Sequence, residues 1–215
     1  MTIELILISV VILLFSIIIH ELAHGYAALY LGDPTARLAG RLTLNPIKHL
    51  DPIGSILVPG LLLLSPSPFV FGWAKPVPYN PFNLKNQRWG EAFVAAAGPL
   101  TNLGIALLFG LLIRFSDLLA LPPAFIEIGS FIVFINLLLG IFNLIPFPAF
   151  DGSKVLRSVL PFPMAQAFNR FEMMAAAYGP VVFFVGVVVF LFILWPFFIG
   201  LLSFLFSLIT GITFF

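Results

Sequence analysis

Five residues in the first apolar stretch of the chain, His20-Glu21-Leu22-Ala23-His24, have the types and spacing to hold and use a metal ion. On a helix, positions i and i+4 share a face, so both imidazoles reach one divalent cation. The carboxylate beside the first of them is placed to take a proton from an attacking water. The chain has only 3 His, and this pattern arises by chance on the order of once in a thousand such chains. Polar groups that merely bonded neighbouring helices would carry insertion costs of roughly 2.5–3.5 kcal/mol each. A bound divalent ion offsets them, because zinc binding is worth about 10 kcal/mol or more in small structural sites.

A catalytic zinc takes three protein ligands and keeps a fourth position open. Glu4 and Asp117 fall at the far face on the topology given below, and Asp33 and Asp51 sit in loops. Asp151 remains, at the end of Asn143-Leu144-Ile145-Pro146-Phe147-Pro148-Ala149-Phe150-Asp151-Gly152. Two prolines unwind the helix end there, and Gly152 permits a tight turn. An Asp before Gly also forms plain turns. Depth favours the ligand: His20 lies ~25 Å along its helix at 1.5 Å per residue, in the inner part of a ~30 Å hydrocarbon core. The helix before Asp151 ends at the same level.

The elements that must carry these residues are written in the composition. Of 215 residues, 61% are apolar and 9% charged, with 10 Lys+Arg against 9 Asp+Glu and 26 Phe; mean hydropathy is +1.14. A soluble domain carries roughly 25% charged residues, so this chain must be solvated by a lipid bilayer. A soluble enzyme, a disordered segment and a free nucleic-acid binder are excluded. The absence of Cys removes disulfides, thiolate metal sites and cysteine nucleophiles.

The expected fold class is an all-α polytopic membrane protein, one integral-membrane domain over 1–215 with a catalytic core over about 1–160. About five transmembrane helices are expected: Leu5 to about Leu31, Gly90–Ile113, Ala124–Ile145, and a C-terminal pair over 173–215, Met173–Leu194 and Phe197–Phe214, broken at Pro196. The first run is expected to be a membrane helix and not a secretory signal, since nothing before Leu5 is basic and cleavage near Ala23 would discard two His. Ile53–Leu64, twelve apolar residues containing Pro59, reads as a re-entrant segment. Thr35–Leu44 alternates in period 2 and reads as a strand of a small membrane-associated β-hairpin or sheet. Phe69–Pro81, with Pro76, Pro78 and Pro81, suits an extended edge strand or loop. Small residues at Ala95-Ala96-Ala97-Gly98 and Ala175-Ala176-Ala177 suit close helix packing.

If the first helix runs outside to inside and each later span crosses once, the inner loops hold Arg37, Arg41, Lys48, Lys75, Lys85, Arg88, Lys154, Arg157 and Arg170, against Arg114 outside. That bias puts the N-terminus outside and the metal site toward the cytoplasmic side of a multi-pass cell-membrane protein.

His20-Glu21-Leu22-Ala23-His24, Gly98-Pro99-Leu100-Thr101-Asn102 and Asn143 through Gly152, with Leu44-Asn45-Pro46-Ile47-Lys48-His49-Leu50-Asp51-Pro52, resemble the site-2 protease family of zinc-dependent intramembrane metalloproteases in its compact prokaryotic form. The likeness runs over about residues 1–160. It implies one zinc ion held by His20, His24 and Asp151, Glu21 as catalytic base, and hydrolysis of peptide bonds in or near transmembrane segments of membrane-protein substrates. It leads us to expect neither an extra leading helix nor an appended regulatory domain. Phe150 stands where the family often has Leu.

Asn102 and Asn143 are candidates to donate to a developing oxyanion, or to bond between helices. Asn136, Gly140 and Asn143 share a face of one helix. His49 either lines the site or bonds at the interface. Trp73, Trp89 and Tyr79 read as interface anchors. A substrate helix must unwind before cleavage, and the Thr35–Leu44 strand offers an edge to hold it. Two other functions fit parts of the pattern: a divalent-metal transporter, and an inactive membrane scaffold.

Overall fold

Apolar length and proline placement set the helices. The computed structural model describes residues 3–63, 74–148, 150–179, 182, 185, 186 and 189–213. Helix α1 is Ile3–Tyr30. It closes on Gly32, where the Gly32 N–H bonds to the Leu29 carbonyl and the Asp33 N–H to the Ala28 carbonyl, at φ +108°. Helix α2 is the single turn Thr35–Leu38. A π-helical turn, Pro52–Leu57, leads into α3, Val58–Leu63. Helices α4, Gln87–Arg114, and α5, Pro123–Asn143, are followed by the short α6, Asp151–Val159, and by α7, Phe162–Ala177. Helix α8 is Trp195–Thr210, with Pro196 in its first turn, where a missing N–H breaks no bond.

Four helices among the described residues are long and apolar enough to cross a membrane: Ile3–Tyr30, Arg88–Arg114, Pro123–Asn143 and Phe192–Thr210. Helix α4 is the hub and packs against α1, α5, α6 and α8. Ala106, Ile113, Val133, Leu137, Phe198, Leu202 and Phe206 form the buried seam of α4, α5 and α8. Without a strong solvent drive in lipid, such seams hold by close packing and interhelical hydrogen bonds.

Three expectations are corrected. No strand occurs among the described residues, and Thr35–Leu44 begins with a helical turn. The Asp33 carboxylate accepts from Thr35 N and its hydroxyl. Gly40, at φ +63°, closes the turn, with Gly40 N–H on the Arg37 carbonyl and Arg41 N–H on the Ala36 carbonyl. These start and stop signals outweigh the period-2 alternation, and the proposed substrate edge disappears with the strand. The expected span Met173–Leu194 lies partly outside the described residues; α7 exposes Gln166, Asn169 and Arg170 just before it and is capped at Tyr178, and no spanning helix is found there among the described residues. The span count is therefore four among the described residues.

The last correction concerns direction. Arg114, ending α4, donates to the Leu208 carbonyl near the end of α8 at 2.6 Å. Phe142, ending α5, meets Phe198 at the start of α8. Helix α8 thus runs parallel to α4, not back across the bilayer. The helical stretch Pro52–Leu63 spans about 18 Å at 1.5 Å per residue, short of a ~30 Å core.

Candidate metal centre

The site lies where α1, α4 and α6 meet. His20 and His24 sit one turn apart on α1, and His20 Nε2 stands 3.0 Å from His24 Nε2. Pro146 and Pro148 stop α5 at Asn143, and the rings of Phe142, Phe147 and Phe150 pack at a tilt around the turn that follows. That turn brings Asp151 to the first residue of α6. A Cβ at Gly152 would lie 2.2 Å from the Leu144 carbonyl oxygen, so the start of α6 can press onto this backbone only with glycine there. Asp151 Oδ2 is 3.2 Å from His20 Nε2 and 3.1 Å from His24 Nε2.

Both imidazoles are aimed from behind. With its proton on Nδ1, His20 donates to Asn102 Oδ1, deep between α1 and α4. Asn102 Nδ2 donates to Asn136 Oδ1 at 2.7 Å and to the Ser16 carbonyl at 3.3 Å, and Asn136 Nδ2 reaches Ser16 Oγ at 3.0 Å. His24 Nδ1 donates to the Val94 carbonyl at 2.6 Å. Such partners fix the tautomer and point each Nε2 lone pair at the common focus.

The donor set fits a divalent ion. Two imidazole nitrogens and a carboxylate oxygen, all within 4.8 Å of one another, are borderline ligands suited to zinc. In a tetrahedral site with bonds of 2.0–2.2 Å, donors stand about 3.3–3.5 Å apart, close to the 3.0–3.2 Å separations here. The floor is cleared as well: a Cβ on Gly98 would lie 2.5 Å from His24 Nε2 and 2.6 Å from His20 Nε2. Only glycine leaves that space free.

Burial works to raise the Asp151 carboxyl, but the two imidazoles crowded against it outweigh burial and hold it below the ordinary carboxylate range. Burial also raises the Tyr79 phenol, helped by the charges of Glu91 and Asp151, so it stays neutral. Arg157 bonds Glu91 at 2.6 Å and Glu172 at 2.9 Å, and Arg88 donates to the Ser158 and Leu160 carbonyls, which ties α6 to α4 and α7.

A cavity of about 400 Å³ opens on the three donors. Pro76, Val77, Pro78 and Tyr79 form one wall, and Glu21, Asn143 and Lys154 also face it. Glu21 Oε2 accepts from Val77 N–H at 2.7 Å. The wall is anchored farther on by Asp33, which accepts from Asn80 N and Asn83 Nδ2.

The structure therefore brings His20, Glu21, His24, Asp151 and Asn143 to one cavity and separates the other candidates from it. Asn102 lies behind His20, fully buried. His49 is buried outside the cavity, its Nε2 on the Thr43 carbonyl at 2.8 Å. Asn143 also donates to the Leu139 carbonyl of its own helix. Tyr79 lines the site, Trp89 is exposed in the first turn of α4, and Trp73 lies outside the described residues. Sequence reading missed Val77, whose contribution is a backbone N–H that no side-chain pattern marks. It also missed Ser16 and Lys154; Lys154, at i+3 from Asp151, carried a signal that helix spacing supplies.

Comparison with known proteins points to one family. The model of peptidase family M50 matches residues 120–187, which include Asn143 and Asp151. The chain is 38% identical over 195 residues to "Putative zinc metalloprotease YwhC" of Bacillus subtilis, covering 87% of this chain and 84% of that protein. It is 33% identical over 147 residues to "Putative zinc metalloprotease Rip2" of Mycolicibacterium smegmatis, and 30% over 152 residues to the protein of that name from Mycobacterium tuberculosis. Each of those two matches covers 66% of this chain and 53% of the relative. No solved structure matches it.

Proposed function

The chain belongs to peptidase family M50, the site-2 protease type of zinc metalloprotease, and from that premise we propose that it cleaves peptide bonds in or near transmembrane segments of membrane-protein substrates. In this reading His20, His24 and Asp151 are the three protein ligands of one zinc ion, and Glu21 is the catalytic base. The observation that carries it is the convergence of three donors, from α1 and α6, over the space left by Gly98.

A bound zinc supplies Lewis-acid polarisation of the scissile carbonyl and lowers the pKa of its water to about 7. Glu21, beside the first ligand and facing the cavity, takes the proton of the attacking water and passes it to the leaving amine. Val77 N–H holds one Glu21 oxygen, leaving the other for that transfer. Asn143 is the remaining amide on the cavity wall for the oxyanion, while Asn102 orients His20. The chain forms one integral-membrane domain. The Lys and Arg bias supports a cytoplasmic-side site and an outside N-terminus, with Lys154, Arg157 and Arg170 on the inner side.

Glu21→Gln tests the mechanism. Membranes holding the wild type should yield fragments cut within or beside transmembrane segments, and membranes holding Glu21→Gln should not, while the purified variant keeps stoichiometric zinc. Equal cleavage by both would remove Glu21 as the base, and zinc uptake into vesicles would favour transport instead.

A further inference from the structure

Asp151 presents its two carboxylate oxygens to different partners. Oδ2 faces the imidazoles, whereas Oδ1 faces the Lys154 ammonium at 3.9 Å. That ammonium lies 5.5 Å from the centroid of the Tyr79 ring, within the range of a cation–π contact. Lys154 thus bridges the start of α6 and the Pro76–Tyr79 wall, and it borders the same cavity as Glu21 and Asn143.

We propose that Lys154 is a positioning residue that, by engaging Oδ1, makes Asp151 a one-oxygen ligand and keeps the fourth coordination position free for water. The proposal rests on the reading of His20, His24 and Asp151 as the zinc ligands. A carboxylate binds divalent ions through one oxygen or both, and with Oδ1 unclaimed the group can rotate to offer both. The second oxygen would then compete for the position that a catalytic site leaves open. Outer partners of ligating carboxylates restrain that rotation, and the ammonium does so here from the side away from the imidazoles. Its charge is pinned in turn by the ring of Tyr79.

The test replaces zinc with cobalt(II) in the full-length, detergent-purified protein and reads the visible absorption, which is intense in four coordination and much weaker in five. Lys154→Met removes the charge at nearly constant length, Lys154→Gln does so while keeping a polar head, and Lys154→Arg keeps the charge. Wild type and Lys154→Arg should give the intense spectrum, and both neutral variants the weaker one with cobalt still bound one to one. Retention of the wild-type spectrum by either folded neutral variant overturns the proposal while leaving the metal centre intact. Failure of the wild type to bind cobalt, or binding unaffected by His20→Ala, overturns the ligand assignment itself.

Discussion

Gly98→Ala is the sharpest test of where the ion sits. The added methyl would lie 2.5 Å from His24 Nε2 and 2.6 Å from His20 Nε2, inside the space the three donors enclose. The rings cannot simply swing aside, because His20 is tied to Asn102 and His24 to the Val94 carbonyl. Two effects of opposite sign follow. Without metal, Ala for Gly inside α4 favours the helix by roughly 0.5–1 kcal/mol, reduced by whatever the rings must yield. With zinc at a hundredfold excess over Kd, the wild type gains about 2.7 kcal/mol, equivalent to roughly 5–11 °C in Tm at 2–4 °C per kcal/mol for a chain of this size. The variant should gain almost none of it. Thermal unfolding in detergent, with chelator and then with excess zinc, reads both. A full zinc-induced shift in Gly98→Ala would mean that the ion is not held above this residue.

Asn102→Ala removes the acceptor that aims His20, and zinc affinity measured by chelator competition should fall about 10–100-fold. It also strips buried Asn136 of a partner, so the metal-free protein should lose roughly 1–3 kcal/mol. Gly152→Ala forces a methyl toward the Leu144 carbonyl; displacement of α6 should abolish stoichiometric zinc binding while the four spanning helices persist by circular dichroism. Asp33 gives a pH prediction. Burial raises its carboxyl, and hydrogen bonds from Thr35, Asn83 and Asn80 outweigh that and lower it. Ionised Asp33 therefore favours the fold above its unfolded value of about 3.9, and the contribution fades as pH falls through the lower folded value. Amide protection factors over 76–85 should drop between pH 7 and pH 3 in the wild type, and should be low at both in Asp33→Asn.

The parts of the site legible in the sequence are those set by local geometry. Two His at i and i+4 share a face whatever α1 packs against, and Pro146 and Pro148 end α5 wherever it lies. The long apolar runs likewise mark α1, α4 and α5 to within a few residues. The division of labour among the asparagines was not legible. Spacing puts Asn136, Gly140 and Asn143 on one face of α5, but only the packing of α1, α4 and α5 decides that Asn102 and Asn136 close behind His20 while Asn143 reaches the cavity. The alternation over Thr35–Leu44 misled for a related reason. A period of two specifies a strand where a partner strand receives it, and here the hydrogen bonds from Thr35 to Asp33 and the turn at Gly40 set the local conformation first.

The direction of α8 shows what hydropathy and charge counting omit. A window over 173–194 registers apolar content but not where the segment's ends lie. Glu172 on α7 bonds Arg157 on α6, and a Cβ on Gly186 would meet the Phe147 ring in the turn after α5. With Phe142 against Phe198, these contacts put the turn after α5, the end of α7 and the start of α8 at one end of the bundle. The chain between α5 and α8 therefore makes no net crossing, and α8 must run parallel to α4, as the bond from Arg114 to Leu208 requires. The same end of the bundle holds the three-ligand site. Because α6 and α7 stay beside the polar end of α4, Arg157 can lock α6 between Glu91 and Glu172. The first residue of α6 then enters sideways at the level of the two imidazoles.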